Sequence, residues 1–202
     1  MTKLILIRHG VTQWNKEGRY CGRKDVALSG KGKSQARLLS SAIETMNFDV
    51  IYCSDRKRAM QTARILFGRK KMVRHKGLRE IDFGVLEGLR HGEIMEKYAD
   101  IYGRWLKDSF RNNIPGAEPM DLFRRRVESA MRDIVGPNSG KTVAVVCHGG
   151  VIGIFLNAIL KRKNFWRYVP SPTGVTTVEH RRGRYRLKKF NDTAHLKGTK
   201  DE

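Results

Sequence analysis

Cysteine is scarce in this chain of 202 residues, with Cys21, Cys53 and Cys147 only, and no C-x-x-C spacing occurs. That excludes a disulfide framework and a structural zinc site, and suits a reduced compartment. Acidic residues are also few: 20 Asp and Glu face 41 Lys and Arg, a formal net charge of +21. Aromatic residues make up 8% and are not interleaved with the basic groups, so no recognised nucleic-acid module is present. No specific nucleic-acid partner is expected, and non-specific binding is expected only at low salt. Five prolines form no linker, and no repeat or low-complexity tract divides the chain. One domain over residues 1–202 is the expectation, with a lid-like insertion around residues 84–117.

Long hydrophobic runs are missing too. The longest apolar window, Val143 to Leu160, is broken by His148, two glycines and Asn157. It reads as a strand turning into a buried helix, and no membrane partner is expected. The amino terminus, MTKLILIRHG, has too short an apolar core for a signal peptide, which makes a cytoplasmic location the default expectation. A homodimer is expected only from the general frequency of such assemblies.

Hydrophobic residues make up 40% of the chain, enough for one substantial core. Strand-like runs at about 3–7, 49–53, 142–147 and 175–179 alternate with helical stretches at about 30–46, 55–67, 118–135 and 149–161. The alternation predicts an α/β fold of three layers, a mostly parallel sheet with helices on both faces. Gly183, inside Glu179 to Lys189, predicts a terminal hairpin and an antiparallel edge.

Chemistry enters at the strand ends. Arg8, His9 and Gly10 close the first strand: a guanidinium fork matched to phosphate oxygens, an imidazole able to attack phosphorus, and room for close backbone approach. The run TVAVVCHGG, Thr142 to Gly150, also ends in His-Gly. Ligands of open α/β sheets bind outside the carboxyl ends of strands, so His9 and His148 would share one crevice if their strands are neighbours. Cys147, beside His148, points to the opposite face and is expected to pack in the core.

A third segment, Ile51 to Ala63, reads as a strand followed at once by a helix. Ser54 is its expected N-cap, and Ala59, Thr62, Ala63 and Leu66 share one face. Arg58 then lies in the first helical turn, where free N–H groups already favour an anion. A fourth, Leu78 to Gly88, is glycine-punctuated and offers Glu80, Asp82 and Glu87. One carboxyl could protonate a leaving oxygen and then activate water. Gly32-Lys33-Ser34 ends like a Walker loop but lacks the earlier glycine, and reads instead as a helix start capped by Ser29.

Taken together, LIRHGVTQWN, IYCSDRKRAMQTARIL, LREIDFGVLEGL, IPGAEPMDLFRRRV, VVCHGGV and NDTAHL resemble, in order and nearly end to end, the histidine phosphatase superfamily that includes cofactor-dependent phosphoglycerate mutase. The resemblance implies that His9 is the nucleophile that becomes phosphohistidine, with Arg8, Arg58 and His148 holding the transferring group. It makes Glu80 the proton donor, places Asn15 and Gly149 at the phosphate pocket and the Cys21-Gly22 backbone beside the substrate, and has Thr12 shape the first loop.

No metal or other cofactor is implied. The partner would be a small phosphorylated substrate, which the positive field of the chain would help to recruit. Cys53 and Leu86 stand where serine and tryptophan are frequent in the family; they bear on pocket shape, not on reaction type. The short stretch between Gly88 and Pro115 resembles the phosphatase branch, a histidine acid-type phosphatase. A phosphoglycerate mutase and a non-catalytic polyanion-binding protein are the two other readings.

Overall fold

A computed structural model describes residues 1–162 and 164–198; Lys163, which closes the basic group Lys161 to Lys163, lies outside the described residues. The chain order is β1 (Thr2–Arg8), α1 (Gln13–Lys16), α2 (Gly30–Ala42), β2 (Val50–Cys53), α3 (Lys57–Phe67) and β3 (Val73–Arg74). Then follow α4 (His91–Lys107), α5 (Met120–Val135), β4 (Thr142–Cys147), α6 (Gly149–Ile159), β5 (Val175–Arg181) and β6 (Arg184–Asp192).

The six strands form one sheet in the order β3-β2-β4-β1-β5-β6. Its first four are mutually parallel, while β1/β5 and β5/β6 are antiparallel. The expected terminal hairpin is therefore present, turning at Arg182 and Gly183, both at positive φ.

Alternation along the strands sorts side chains between two cores. Leu4, Leu6, Val143 and Val145 face α4, α5 and α6, meeting Trp105, Phe123, Val127 and Ile152. Ile5, Ile7, Ala144 and Val146 face α2 and α3, meeting Leu39, Ala59, Ala63 and Leu66. These are the three layers. Central β1 and β4 are apolar on both faces because both are covered. No helix among the described residues is long and apolar enough to cross a membrane.

One register positions everything that follows. Arg8 pairs with Cys147 across the β1/β4 ladder, so His9 and His148 are the next residues on adjacent strands. His9 N–H donates to the Cys147 carbonyl at 3.0 Å. Cys147 itself is fully buried, as expected, and so are Cys53 and Leu86; none of the three lines the crevice beside the histidines.

Two departures from expectation concern helices. Segment 84–117 carries the 17-residue α4, whose Ile94, Tyr102 and Trp105 are buried, although the sequence reading placed no helix there. Gly92 and Gly103 and the non-helical Tyr98 (φ −140°, ψ 24°) dilute its periodic signal. The N-cap of α3 is Arg56, not Ser54, because Ser54 is drawn away to His148 and offers only a 3.4 Å contact to Arg56 N–H. Ser29 does cap α2, accepting from Gly32 N–H at 3.1 Å.

Candidate active site

The carboxyl ends of β1, β2 and β4 bring five side chains together: Arg8 and Glu80 line an open cavity, and His9, Arg58 and His148 are buried beside them. The imidazoles of His9 and His148 lie 5.2 Å apart, centroid to centroid, at 65° to one another. His9 is almost fully buried, and its Nδ1 sits 2.7 Å from the Gly10 carbonyl. A carbonyl only accepts, so Nδ1 carries the proton and Nε2 keeps its lone pair. Burial, then the charges of Arg58 and Arg8, hold His9 well below the usual imidazole range, and it is neutral at physiological pH.

His148 is fixed from both sides. Arg58 Nε donates to its Nδ1 at 3.2 Å, and its Nε2 meets Ser54 Oγ at 2.8 Å. An Nδ1 that accepts requires the proton on Nε2, so Ser54 is the acceptor of that pair. Burial, followed by Arg58 and His9, also keeps His148 well below its ordinary range.

Arg58 is fully buried, in the first turn of α3 as the spacing predicts. Its Nη1 donates to the Lys24 carbonyl at 2.8 Å, and its Nη2 to Gly22 at 2.8 Å and Cys21 at 3.4 Å. Arg8 differs in one respect. Its Nη1 donates to Pro170 O at 2.6 Å, but its Nε is buried without any hydrogen-bond partner. A buried guanidinium nitrogen with no acceptor costs free energy, and an anion bound against it would remove that cost.

Glu80 faces this cluster from the loop before Ile81. Its Oε2 accepts from Gly150 N–H at 2.8 Å and its Oε1 from Ile81 N–H at 3.1 Å. Burial pushes its carboxyl up, against the pull of the Gly150 N–H and of Arg58, so it holds its proton to higher pH than an ordinary carboxylate. A Cβ at position 150 would lie 2.4 Å from Glu80 Oε1, so a larger residue there would push the Glu80 carboxyl aside.

The expected secondary residues divide. Asn15, Cys21 and Gly149 line a cavity of about 220 Å³ that also touches Arg8 and Glu80. Burial pushes the Cys21 thiol up to about 11, so it stays protonated. Thr12 does not reach the cavity: it is fully buried and caps α1, its Oγ1 accepting from Asn15 N–H at 3.1 Å. Gly22 is occupied by architecture, with its carbonyl on Arg58 and its N–H on Glu87 at 3.0 Å. Gly10 makes its close approach to the Gly32 carbonyl, 2.5 Å from where a Cβ would stand, and the room it provides is for packing α2.

Sequence reasoning left Glu87 without a role. Its carboxylate accepts from the backbone N–H of Gly22, Arg23 (2.7 Å), Lys24 (3.3 Å) and Phe83 (3.1 Å). The 21–24 turn is thus held by a carboxylate on its N–H side and by the Arg58 guanidinium on its carbonyl side. The only signal in the sequence was an acid beside Gly88 with no assigned partner.

Chemically, the cluster offers a neutral imidazole, two guanidinium groups, a second imidazole and a carboxyl that burial makes a weaker acid than usual. These are the parts for attack on a phosphoryl group and for stabilising its equatorial oxygens.

Comparison with known proteins agrees with that chemistry. Residues 4–193 match the family described as the histidine phosphatase superfamily (branch 1). Phosphoserine phosphatase 1 of Hydrogenobacter thermophilus is 32% identical over 200 residues, covering 97% of this chain and 95% of its own length. The adenosylcobalamin/alpha-ribazole phosphatase of Escherichia coli is 30% identical over 161 residues, 78% of this chain and 79% of that protein. A solved structure of phosphoserine phosphatase from Entamoeba histolytica, in complex with 3-phosphoglyceric acid, aligns with a TM-score of 0.87 at 33% identity, covering 97% of this chain and 100% of that one. This chain belongs to the histidine phosphatase superfamily.

Proposed function

We propose that the chain is a metal-independent, acid-type phosphomonoesterase that hydrolyses small phosphorylated metabolites through a phosphohistidine on His9. The observation that carries the proposal is the orphaned, buried Nε of Arg8 beside an imidazole whose tautomer frees Nε2 for attack.

In the first step the Nε2 lone pair of His9 forms a bond to phosphorus as the P–O bond to the leaving group breaks in line. The protonated Glu80 gives its proton to the departing oxygen. Arg8 and Arg58 take the charge on the equatorial oxygens, and His148 adds a third donor when its Nε2–H turns from Ser54 Oγ to the phosphoryl group. In the second step Glu80, now a carboxylate, removes a proton from water; the resulting oxygen bonds to phosphorus, the P–N bond breaks, and its electrons return to His9. Phosphate leaves and Glu80 again holds a proton.

The relatives' names make phosphoserine and α-ribazole phosphate the two leaving-group types to be told apart. We also read residues 1–202 as one domain in which 84–117 acts as a cover, because α4 carries Trp105 to the wall of the cavity. A phosphoglycerate mutase is the weaker reading, favoured by a 34% identity to a probable phosphoglycerate mutase over 163 residues.

The test is turnover of p-nitrophenyl phosphate in the presence of a chelator. Hydrolysis that falls by about 10³-fold or more in His9→Ala is expected. Hydrolysis that His9→Ala leaves intact, or isomer interconversion of phosphoglycerate without release of phosphate, contradicts the proposal.

A further inference from the structure

The cavity that opens from Arg8 and Glu80 also carries Asn15 and Arg19, but much of its remaining wall is aromatic: Tyr20, Phe83, Trp105, Phe165 and Trp166. They form a continuous series of ring contacts. Tyr20 meets Phe83 edge-on at 5.0 Å, Phe83 meets Trp105 at 6.2 Å, Trp105 meets Trp166 at 5.2 Å and 76°, and Trp166 meets Phe165 at 4.2 Å. Phe83, Trp105 and Phe165 are buried, while Trp166 stands at the rim, 36% exposed.

The cation on this wall is already matched. Arg19 is held by Glu17 at 2.5 Å, by the Gly88 carbonyl at 2.7 Å and by Glu93 at 3.5 Å. Its charge is therefore neutralised within the wall. A leaving group with its own carboxylate would be desolvated here against rings, because the unpartnered guanidinium nitrogen on this cavity, Arg8 Nε, is taken by the phosphoryl group, and that is costly. A planar or apolar group would instead gain ring contacts and burial. At about 220 Å³ the space lies below the roughly 300–1,000 Å³ of sites for drug-sized molecules, so one ring system or a short chain is the fit.

Resting on the phosphatase reading, we infer that the pocket selects phosphomonoesters whose leaving group is uncharged and aromatic or apolar, with Trp166 and Trp105 as the residues that set this preference. Carboxylate-bearing esters such as phosphoserine are then poor substrates of this chain.

The test compares esters whose leaving groups are all primary alcohols, so that intrinsic leaving ability does not decide the order: 2-phenylethyl phosphate, glycerol phosphate and O-phosphoserine. We expect kcat/KM for the phenylethyl ester to exceed that for O-phosphoserine by about 10-fold or more, the scale of one buried ring. Trp166→Ala should reduce that ratio by about 3- to 10-fold and Trp166→Phe should restore most of it.

Binding of the non-hydrolysable 2-phenylethylphosphonate and 2-amino-3-phosphonopropionate, followed by calorimetry, gives the same order without turnover. Retained order in binding with no hydrolysis of any ester supports the pocket inference while overturning the phosphatase reading. Preference for the amino acid ester, or a Trp166→Ala variant that weakens all three esters equally, overturns the inference.

Discussion

Arg58 Nε and His148 Nδ1 stand 3.2 Å apart, and this one bond dictates which nitrogen of His148 bears its proton. The proton must lie on Nε2, and the acceptor for it is the fully buried Ser54 hydroxyl at 2.8 Å. Ser54→Ala should leave a buried N–H unpaired at a cost of about 1–3 kcal/mol. Thermal melting should show that loss, and kcat/KM should fall with it. Unchanged stability and rate would show that Ser54 does not fix His148.

The direction of pH dependence follows from two shifted groups. Glu80, raised by burial, must be protonated for the first step, so activity declines as pH rises through its elevated pKa. His9 must be neutral, and its depressed pKa keeps it so well into the acid range. kcat/KM should therefore hold toward acid pH and fall as pH rises. Glu80→Gln should abolish the alkaline limb and slow alkyl esters far more than p-nitrophenyl phosphate, which needs no proton to depart. A profile unchanged by Glu80→Gln would remove Glu80 from the role of acid.

Gly150 separates stability from activity. Alanine at the second position of α6 favours the helix by up to about 1 kcal/mol, but its Cβ would displace a Glu80 oxygen 2.4 Å away. Gly150→Ala should fold with an undiminished melting temperature and lose about 10-fold or more in kcat. Wild-type kcat in that variant would show that the Gly150–Glu80 contact does not position the acid.

Much of the site was legible in the sequence because its chemistry sits where apolar runs stop. β1 and β4 are short β-branched and leucine-rich runs, each ending in His-Gly, and the buried Arg58 follows from the spacing of Ala59, Thr62 and Ala63. What was not legible depends on contacts far apart in the chain. The Glu87 contacts join residues more than sixty positions apart, and Ser54 serves His148 instead of its own helix. No local pattern encodes either. α4 was missed for a different reason: two glycines and a kink at Tyr98 interrupt its apolar face, and tertiary packing of Trp105 and Tyr102 outweighs weak local propensity.

Glu87 gives a further test. Four backbone N–H groups depend on its carboxylate, three of them in the 21–24 turn, which holds Arg58 through three carbonyls. Charge-assisted bonds of this kind contribute about 1.5–3 kcal/mol each when buried, less when partly exposed. Glu87→Ala should lower kcat/KM by about 10- to 100-fold and weaken competitive inhibition by inorganic phosphate in parallel, with Glu87→Gln intermediate. Equal phosphate inhibition in Glu87→Ala and wild type would show that the turn holds Arg58 without it.

The covalent intermediate is the most direct measure of the account as a whole. Rapid acid-free quenching during turnover of a phosphomonoester, followed by mass spectrometry, should find one phosphoryl group on His9, stable to base and labile to acid, and none in His9→Ala. A phosphoryl group on any other residue, or turnover in His9→Ala at the wild-type rate, would contradict it.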